Sequence, residues 1–308
     1  MKILGVGNAI VDVLCKVNDE FLMKNSLTKS TMKLIDEKEF KSLISGLIIE
    51  DTISGGSVAN SIVGLSQLGN DVGFIGKIND DDLGQKYEDG LQKEKVNFLY
   101  SKKKEPIPTG TCLILITPDS ERTMCTFLGT AGKVSDEDVN SDLIKRAEIT
   151  FLEGYLWDEG EPKKAFEKAI LNSNKVAMSL SDLFCVERHK AQFLDLVKNK
   201  LDIIFANEQE ILSLLEVKSL SEAVSFVKSL NKNFVITRGE KGAIAVNDGE
   251  IVECDAEKNL NITDLTGAGD LFAAGYLHGV MNNLTTKESL LKGTELSSKI
   301  IQKIGARI

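Results

Sequence analysis

One short stretch combines residue types that could hold an anion and move a proton. Gly267, Ala268, Gly269 and Asp270 precede an apolar run at helical spacing. Backbone N–H groups at a helix N-terminus attract negative charge, and small residues let a ligand approach them. A phosphoryl group held there would lie beside Asp270, which could take a proton from an attacking hydroxyl. A loop that enters a helix with an acidic cap has the same sequence, so the motif alone leaves both interpretations open.

Two later segments carry residues that suit a nucleotide phosphate. Asn207 and Glu210 follow a predicted strand and share a face on the first turn of a helix. They could orient hydrated Mg²⁺, or Asn207 could be an N-cap followed by acidic residues. Thr237 and Gly239 follow the next predicted strand and offer a hydroxyl and an N–H group, although a bare hairpin turn explains them equally well.

Polar residues also interrupt the apolar N-terminal part of the chain. Asn8 and Asp12 follow the first predicted strand. A carboxylate in such a run needs partners, which are either ligand hydroxyls or backbone N–H groups. The glycines of the segment 55–57 permit close backbone approach, and Asn60 lies one helical turn further on. The alternative for this segment is a plain helix N-terminus capped by Ser57.

The order of strand and helix patterns predicts how these residues meet. Strands are predicted at 2–7, 11–17, 71–77, 149–152, 175–179, 202–205 and 234–237, and helices at 36–47, from 55 onward, and at 82–95, 268–278 and 286–304. Strands that alternate with helices predict an α/β fold with a mostly parallel sheet flanked by helices. Ligands of such sheets gather at the carboxyl ends of the strands, where the polar segments above are expected to lie.

The β-rich segments outside this alternation predict a small lid. Runs at 111–117 and 122–128 are joined by a turn at 118–121, and further β-rich sequence lies near 11–35. We expect a single domain over 1–308 with a β lid built from about 11–35 and 98–128. Turns at 239–242 and 247–250 predict an antiparallel edge near 242–253.

Composition excludes several function classes. The chain has 308 residues, 42% of them hydrophobic, and a net charge of −9, which argues against nucleic acid as the partner. Five scattered cysteines without a C-x-x-C pair and only two histidines make a thiolate or imidazole metal site improbable and favour reduced thiols in a cytoplasmic protein. No segment approaches the roughly 20 apolar residues of a membrane span. Neither a dinucleotide fingerprint nor a P-loop is present.

Taken together and in this order, the polar segments resemble the ribokinase-like (PfkB) carbohydrate kinase family, through Gly305–Arg307 at the end of the chain. The resemblance implies a parallel sheet with a small β lid and the use of ATP and Mg²⁺. It implies catalytic roles for Asp270, Gly267, Ala268, Gly269 and Arg122; acceptor binding by Asn8, Asp12, Gly55, Gly56, Ser57, Asn60 and Trp157; nucleotide binding by Asn207, Thr237, Gly239, Thr266, Gly267 and Gly269; and Mg²⁺ held through water by Glu210. It also implies a K⁺-type cation near Asp264 and Gly305, although Leu265 stands where Thr is common in the family.

Several stretches are more similar to the adenosine-kinase-like branch than to ribokinases or fructokinases. They include the segments 7–12, 55–61 and 109–112, together with Arg122 and Trp157. Arg122 resembles the lid arginine of this branch, although a solvated arginine of the hairpin has the same sequence. Trp157 would stack on the acceptor's base, although a core or rim aromatic explains it as well. Ala59 stands where this branch usually has Gln. The resemblance therefore implies ATP-dependent phosphorylation of a primary hydroxyl of a nucleoside, with adenosine favoured. A sugar kinase of fructokinase or ribokinase type is the alternative, and a non-catalytic nucleotide-binding protein is a third reading. We expect no nucleic acid or membrane partner, and either a monomer or a homodimer.

Overall fold

A computed structural model describes residues 1–119, 121–157 and 160–308. The strands are β1 (Ile3–Val6), β2 (Ile10–Lys16), β3 (Met32–Leu34), β4 (Ile49–Ser54), β5 (Val72–Ile75), β6 (Asn97–Phe98), β7 (Gly110–Ile116), β8 (Arg122–Phe127), β9 (Ile149–Glu153), β10 (Val176–Ser179), β11 (Ile203–Asn207), β12 (Asn233–Thr237), β13 (Ala243–Asn247) and β14 (Glu250–Cys254). The helices are α1 (Asp19–Lys24), α2 (Glu37–Ile44), α3 (Ser57–Gln67), α4 (Asp82–Lys93), α5 (Ser141–Arg146), α6 (Glu161–Asn172), α7 (Leu183–Asn199), α8 (Glu208–Leu215), α9 (Leu220–Ser229), α10 (Ala268–Met281) and α11 (Thr286–Ile300).

The large sheet confirms the predicted α/β fold. Among the described residues it has nine strands in the order β14-β13-β12-β11-β10-β9-β1-β5-β6. Neighbours from β12 to β6 pair in parallel, and β13 and β14 add the predicted antiparallel edge. Strands such as β1 and β5 are buried at every position, because a sheet covered by helices on both faces needs continuous apolar runs.

The strand order places a crevice at the centre of the large sheet. Strand β1 lies between β5 and β9, so the chain builds the sheet outward from β1 in both directions. At such a switch point the loops that follow neighbouring strands separate, and a ligand can enter between them. The segments that follow β1, β9, β11 and β12 all lie at this carboxyl edge.

The small sheet contains strands from both segments predicted for the lid. Among the described residues its order is β3-β8-β7-β2-β4. Strand β4 was not predicted, because four of the six residues in its sequence Ile-Glu-Asp-Thr-Ile-Ser are charged or polar and the strand lies on an exposed edge. The two-residue strand β6, by contrast, falls in the segment predicted for the lid but pairs with β5 of the large sheet. Of the turn predicted at 118–121, residue 120 lies outside the described residues.

The two faces of the small sheet have different neighbours. Alternate residues of β2, namely Val11, Val13 and Cys15, join the main core. Because side chains of a strand alternate between its faces, Ile10, Asp12 and Leu14 lie on the opposite face. Here Ile10 and Leu14 form a separate apolar cluster with residues of β7. Asp12 is thereby placed among aliphatic side chains.

Two features bear on the environment of the protein. All five cysteines are buried and free of disulfide bonds. None of the helices in the described part of the chain has both the length and the apolar content needed to cross a bilayer.

Candidate functional site

Asp270 lies in the first turn of α10, as the sequence predicted. Gly267 is the N-cap of this helix and has a φ of +78°, a left-handed conformation that favours glycine. A Cβ at Gly267 would also lie 2.8 Å from the backbone of Ala306. The glycine therefore permits both the turn into the helix and its contact with the C-terminal segment.

The side chain of Asp270 is held from α3. Ser57 Oγ donates to Asp270 Oδ1 at 2.6 Å, and Asn60 Nδ2 donates to Oδ2 at 3.0 Å. Ser61 Oγ donates to the backbone carbonyl of Asp270 at 2.8 Å, which fixes the start of α10 against α3. Burial raises the pKa of Asp270 to about 6, and the two side-chain hydrogen bonds partly offset this effect. The result is a carboxylate that can exchange a proton near neutral pH.

The N–H groups beside Asp270 differ in what they contact. Ala268 N–H donates to the carbonyl of Leu265 at 3.2 Å. Within the described residues, the N–H groups of Gly267 and Gly269 have no hydrogen-bond acceptor, and they lie at the positive end of α10. Of the three N–H groups predicted to form an anion hole, these two have the free hydrogen-bonding capacity that such a site requires.

The N-terminus of α3 is brought close to β1 and β2 by two glycines. Gly56 is the N-cap with a φ of +98°, and a Cβ there would lie 2.3 Å from the carbonyl oxygen of Asn8. A Cβ at Gly55 would lie 2.4 Å from Oδ2 of Asp12. The alternative interpretation that Ser57 caps this helix is wrong, because Ser57 lies inside α3 and its hydroxyl is bonded to Asp270.

Glu153, at the end of β9, is a site residue that sequence reasoning missed. Its side chain is buried and accepts hydrogen bonds from Val58 N–H at 3.0 Å and from Asn8 Nδ2 at 3.1 Å. A Cβ at Gly7 would lie 2.5 Å from Glu153 Oε2, so the glycine makes room for the carboxylate. Burial raises the pKa of Glu153 to about 7. The only available signal was a Glu at the carboxyl end of an otherwise apolar strand.

Asp12 faces a small cavity between the small sheet, α3 and the C-terminal segment. Among the described residues its carboxylate has no hydrogen-bond partner, and burial raises its pKa to about 7, an effect that Arg307 and Arg122 oppose. The cavity has a volume of about 10 Å³, and its walls include the aliphatic residues Leu14, Ile53 and Ile114 together with Ser54, Asn60, Thr266, Gly305 and Ala306. An unpartnered carboxylate in such surroundings is suited to bind hydroxyl groups of a ligand.

Arg122 connects the small sheet to the loop before α10. Its Nη2 lies 3.0 Å from Asp264 Oδ2, and both side chains are nearly buried. Asp264 also accepts from Gly305 N–H at 2.8 Å and, through Oδ1, from the N–H and hydroxyl of Thr266 at 3.0 and 2.8 Å. Four donors, one of them a guanidinium, thus occupy both oxygens of Asp264. The monovalent cation at Asp264 and the backbone carbonyls near Thr266 and Gly305 stays a prediction.

Arg307 completes the wall of the cavity and is a second residue without a role in the sequence-based site. Its Nη1 donates to Ser54 Oγ at 2.8 Å, and its Nε donates to Asn60 Oδ1 at 3.4 Å. Because Asn60 accepts from Arg307, its amide nitrogen is directed toward Asp270. The C-terminal segment thus contributes to the orientation of the residues around Asp270.

The predicted phosphate-binding residues lie at the ends of β11 and β12. Asn207 and Glu210 form a reciprocal cap at the start of α8: Asn207 Oδ1 accepts from Glu210 N–H at 2.9 Å, and Asn207 N–H donates to Glu210 Oε2 at 2.9 Å. Burial raises the pKa of Glu210 to about 7, and Asp182 adds to this effect. Thr237 ends β12, and Gly239 begins the turn into β13. Gly239 therefore lies both in the predicted turn and at the position predicted to bind the nucleotide phosphates.

The structure corrects the position of Trp157. Its indole is 4% exposed, packs edge-on against Phe166 with ring centroids 4.8 Å apart, and donates from Nε1 to Gln192 at 2.7 Å. It belongs to the core under α6 and α7 rather than to the cavity at Asp12. Trp157 follows a short 3₁₀ turn after β9, and its packing in this core confirms the alternative of a core aromatic and contradicts the prediction that it stacks on the acceptor's base.

Comparisons with known proteins agree with this architecture. Residues 51–308 match the profile of the pfkB family carbohydrate kinase. The chain is similar to the adenosine kinase from Sinorhizobium meliloti, with a TM-score of 0.92 and 34% identity over 100% of this chain and 95% of that one. It is also similar to a probable sugar kinase protein from Rhizobium etli CFN 42, with a TM-score of 0.91 and 35% identity over 99% of this chain and 94% of that one. Adenosine kinase 2 of Arabidopsis thaliana is 24% identical over 334 residues, which cover 98% of this chain and 94% of that protein.

Proposed function

The chain belongs to the pfkB family of carbohydrate kinases, and from this premise we propose that it transfers the γ-phosphate of ATP to a primary hydroxyl of a ribonucleoside, with adenosine as the favoured acceptor. As a member of the family it is an ATP-dependent phosphotransferase that acts on a hydroxyl group of a nucleoside or a sugar. The observation that carries the proposal is the position of Asp270, which two hydrogen bonds hold beside the free N–H groups of Gly267 and Gly269.

Asp270 is the general base in this proposal. It accepts the proton of the acceptor hydroxyl while that oxygen attacks the γ-phosphorus. A pKa raised to about 6 leaves Asp270 ionised at neutral pH yet basic enough to take a proton in the transition state. Ser57 and Asn60 keep its carboxylate in one orientation, and this supports proton transfer along a fixed direction.

The transferring phosphoryl group is stabilised by donors that are already oriented. The N–H groups of Gly267 and Gly269 contribute from the positive end of α10. Arg122 supplies a guanidinium from the small sheet once it leaves Asp264, and it then offsets the negative charge that spreads over the phosphoryl oxygens. The small sheet acts as a lid that carries Arg122 to the reaction centre and excludes water.

The nucleotide is held at the ends of β11 and β12. Thr237 offers a hydroxyl and Gly239 an N–H group to the phosphates. Asn207 and Glu210 supply an amide and a carboxylate whose oxygens suit hydrated Mg²⁺. Both Glu210 oxygens are bonded to Asn207, so Glu210 would reach the metal through water. When bound with ATP, Mg²⁺ neutralises phosphate charge. No step of the proposal depends on K⁺.

The acceptor occupies the cavity at Asp12, and Asn60 of its wall is bonded to Asp270. Asp12 and Asn60 bind the acceptor's hydroxyls. Gly55 lies against Asp12, and Gly56 lies against Asn8. The apolar part of the acceptor contacts the aliphatic face of the lid. The similarity to the Sinorhizobium meliloti adenosine kinase, at 34% identity over the whole chain, favours adenosine.

A furanose sugar is the second candidate acceptor, and one observation favours it. With Trp157 in the core, the described walls of the cavity carry aliphatic rather than aromatic side chains. The probable sugar kinase from Rhizobium etli CFN 42 is as similar to this chain as the adenosine kinase is. A non-catalytic nucleotide-binding protein is disfavoured, because such a protein would not need a carboxylate held at the helix N-terminus.

A panel of acceptors tests the proposal. Initial rates are measured by coupled ADP release with adenosine, inosine, ribose and fructose. We expect the highest kcat/KM with adenosine, whereas a preference for fructose or ribose would assign the enzyme to the sugar kinases.

Asp270→Asn tests the assignment of the base. We expect kcat to fall by at least about 10²-fold with unchanged thermal unfolding, because the amide cannot take a proton. Near-normal turnover in the folded variant would remove Asp270 from its role.

The remaining proposals concern the compartment, the domain organisation and the oligomeric state of the enzyme. Five buried thiols agree with a reducing compartment, and we propose the cytoplasm. A single domain with a lid, and a monomer or homodimer, stay predictions that size-exclusion chromatography with light scattering and limited proteolysis can check.

A further inference from the structure

One nitrogen of the Arg307 guanidinium is buried without a partner. Ser54 and Asn60 accept from Nη1 and Nε, which fixes the plane of the group. The Nη2 atom has no acceptor within the described residues. A buried donor without a partner is unfavourable, and a ligand atom that accepts from it therefore gains the missing hydrogen bond.

Asp12 presents the complementary group in the same cavity. Both residues line it, and Arg307 is the largest charge effect that opposes the raised pKa of Asp12. Within the described residues, however, no ion pair joins the two side chains, and the Asp12 carboxylate has no donor. A guanidinium donor and a carboxylate acceptor are thus close enough to interact electrostatically but too far apart to bond directly.

The other guanidinium of the cavity does not compete for this position. Arg122 is paired with Asp264 at 3.0 Å and is assigned to the phosphoryl group in the proposed function. Arg307 is anchored from β4 and α3, on the acceptor side of Asp270. The two arginines therefore serve different parts of the cavity.

We propose that Arg307 is a specificity-determining residue for the acceptor: its Nη2 donates to one hydroxyl of a neighbouring pair, while the other hydroxyl of that pair donates to Asp12. This inference rests on the proposed function, since it concerns the acceptor of the same reaction. A hydroxyl both donates and accepts, so two adjacent hydroxyls satisfy a carboxylate and a guanidinium together. An acceptor that lacks one of them leaves either Nη2 or Asp12 unpaired, which supports discrimination of about 10- to 100-fold.

The hydrogen bond between Arg307 and Asn60 determines how substitution of Arg307 should affect kcat. Loss of Arg307 removes the weak bond from Nε to Asn60, but the bonds from Ser57 and Asn60 to Asp270 remain. The main effect of substituting Arg307 therefore falls on KM and on the choice between acceptors, and kcat changes less.

The test combines variants of the enzyme with variants of the acceptor. Wild type, Arg307→Met and Arg307→Lys are assayed with adenosine, 2′-deoxyadenosine and 3′-deoxyadenosine, and adenosine binding without ATP is measured by calorimetry. Arg146→Met, at an exposed position on α5, is the matched control. We expect Arg307→Met to raise the KM and the dissociation constant for adenosine about 10- to 100-fold, and to change those for one deoxy analogue less than about threefold.

The lysine variant separates charge from geometry. A single ammonium cannot bond Ser54 and the acceptor from one plane, so Arg307→Lys is expected not to restore the preference for adenosine over that analogue. Full restoration would show that only the charge matters and would overturn the proposal. Equal losses on all three acceptors, or an unchanged preference in Arg307→Met, would overturn it as well. Thermal unfolding of each variant identifies a loss that is due to misfolding.

Failure of this inference can be told apart from failure of the proposed function. If the wild type phosphorylates a furanose sugar and not adenosine, the proposed nucleoside acceptor is wrong. Wild type, Arg307→Met and Arg307→Lys are then compared on that sugar and on its deoxy derivatives. Arg307→Met is again expected to lose the preference for the sugar over one of its deoxy derivatives.

Discussion

At Asp270, two opposing effects set the properties of one carboxylate. Burial raises its pKa, and hydrogen bonds from Ser57 and Asn60 lower it. If burial acted alone, a carboxylate at this position would keep its proton to higher pH and would be a poorer base at neutral pH. The hydroxyl of Ser57 and the amide of Asn60 therefore lower the pH at which Asp270 becomes available as a base, and they also orient it.

Substitution of Ser57 by Ala tests this adjustment. Activity requires ionised Asp270, so kcat/KM falls as the pH decreases through a pKa of about 6. Without the hydrogen bond from Ser57 the pKa of Asp270 rises, and the acidic limb is expected to move upward by about one pH unit. Ser61→Ala, which removes bonds to the backbone carbonyls of Asp270 and Ser57 but none to the carboxylate, is the control and is expected to leave the limb in place. An unshifted limb in Ser57→Ala would contradict this account.

The raised pKa of Glu153 predicts how the stability of the protein depends on pH. Burial raises its pKa from 4.5 to about 7 in the folded protein, so the folded state binds a proton more tightly than the unfolded state. This contribution to stability is complete below the unfolded pKa and is lost as the pH rises through about 7. Glu153→Gln mimics the protonated form and is expected to reduce the decline in free energy of unfolding between pH 4.5 and 7 by about 3 kcal/mol.

Urea unfolding at pH 4.5, 5.5, 6.5 and 7.5 measures the effect of Glu153→Gln. Glu20→Gln, at an exposed position, controls for the change in charge. If the variant keeps the full pH dependence of the wild type, the carboxyl of Glu153 is not the group that titrates.

At the scale of elements, the start of α3 is the junction of the site. Its N-terminus contacts Asn8 in the segment between β1 and β2, Glu153 of β9 and Asp270 of α10. A helix can approach three elements this closely only if the residue that starts it carries no side chain. Gly56 meets both the steric and the conformational requirement.

Gly56→Ala and Gly69→Ala separate these two requirements. Both glycines have positive φ, +98° and +82°, but only at Gly56 would a Cβ meet another atom, the carbonyl oxygen of Asn8 at 2.3 Å. We expect Gly69→Ala to cost about 1 kcal/mol for the backbone alone. Gly56→Ala is expected to cost about 1–3 kcal/mol more, because Asn8 and α3 must also separate. Thermal unfolding compares them, and equal losses would show that the contact with Asn8 is unimportant.

At the scale of the molecule, the cavity beside Asp12 is too small for the proposed acceptor. A volume of about 10 Å³ is roughly the least that holds one water molecule. In the proposed function, a nucleoside or sugar enters when the small sheet moves away from α3 and the C-terminal segment. The bond between Arg122 and Asp264 joins the small sheet to the loop before α10, so this movement would break it.

The Arg122–Asp264 pair is therefore expected to couple the lid to the rest of the molecule. The two side chains are 11% and 7% exposed, and removal of one partner leaves a nearly buried charge. We expect Arg122→Met to lower the free energy of unfolding by about 3 kcal/mol. Arg122→Met/Asp264→Asn is expected to lose less than the sum of the single variants. Additive losses in a double-mutant cycle by urea unfolding would show that the pair does not couple the small sheet to the loop before α10.

Particular elements show why most of the fold was predictable from sequence. The strands that follow β8 alternate with helices, and each predicted strand falls within a few residues of its observed bounds because continuous apolar runs report burial on both faces. Strand β4 was missed, since an exposed edge strand needs no apolar pattern. The small sheet therefore includes one strand outside the two segments predicted for the lid.

What the sequence determined by itself about this protein is local. The helix N-terminus at Gly267–Asp270, the polar residues after the strands and the α/β order all follow from spacing within one or two turns of chain. Only the tertiary structure placed Glu153 beside Asn8, 145 residues away, and Arg307 beside Ser54, 253 residues away. It also moved Trp157 from the proposed site to the core. The physical reason is that these positions depend on which chain segments pack together, and residue spacing carries no information about partners so distant in sequence.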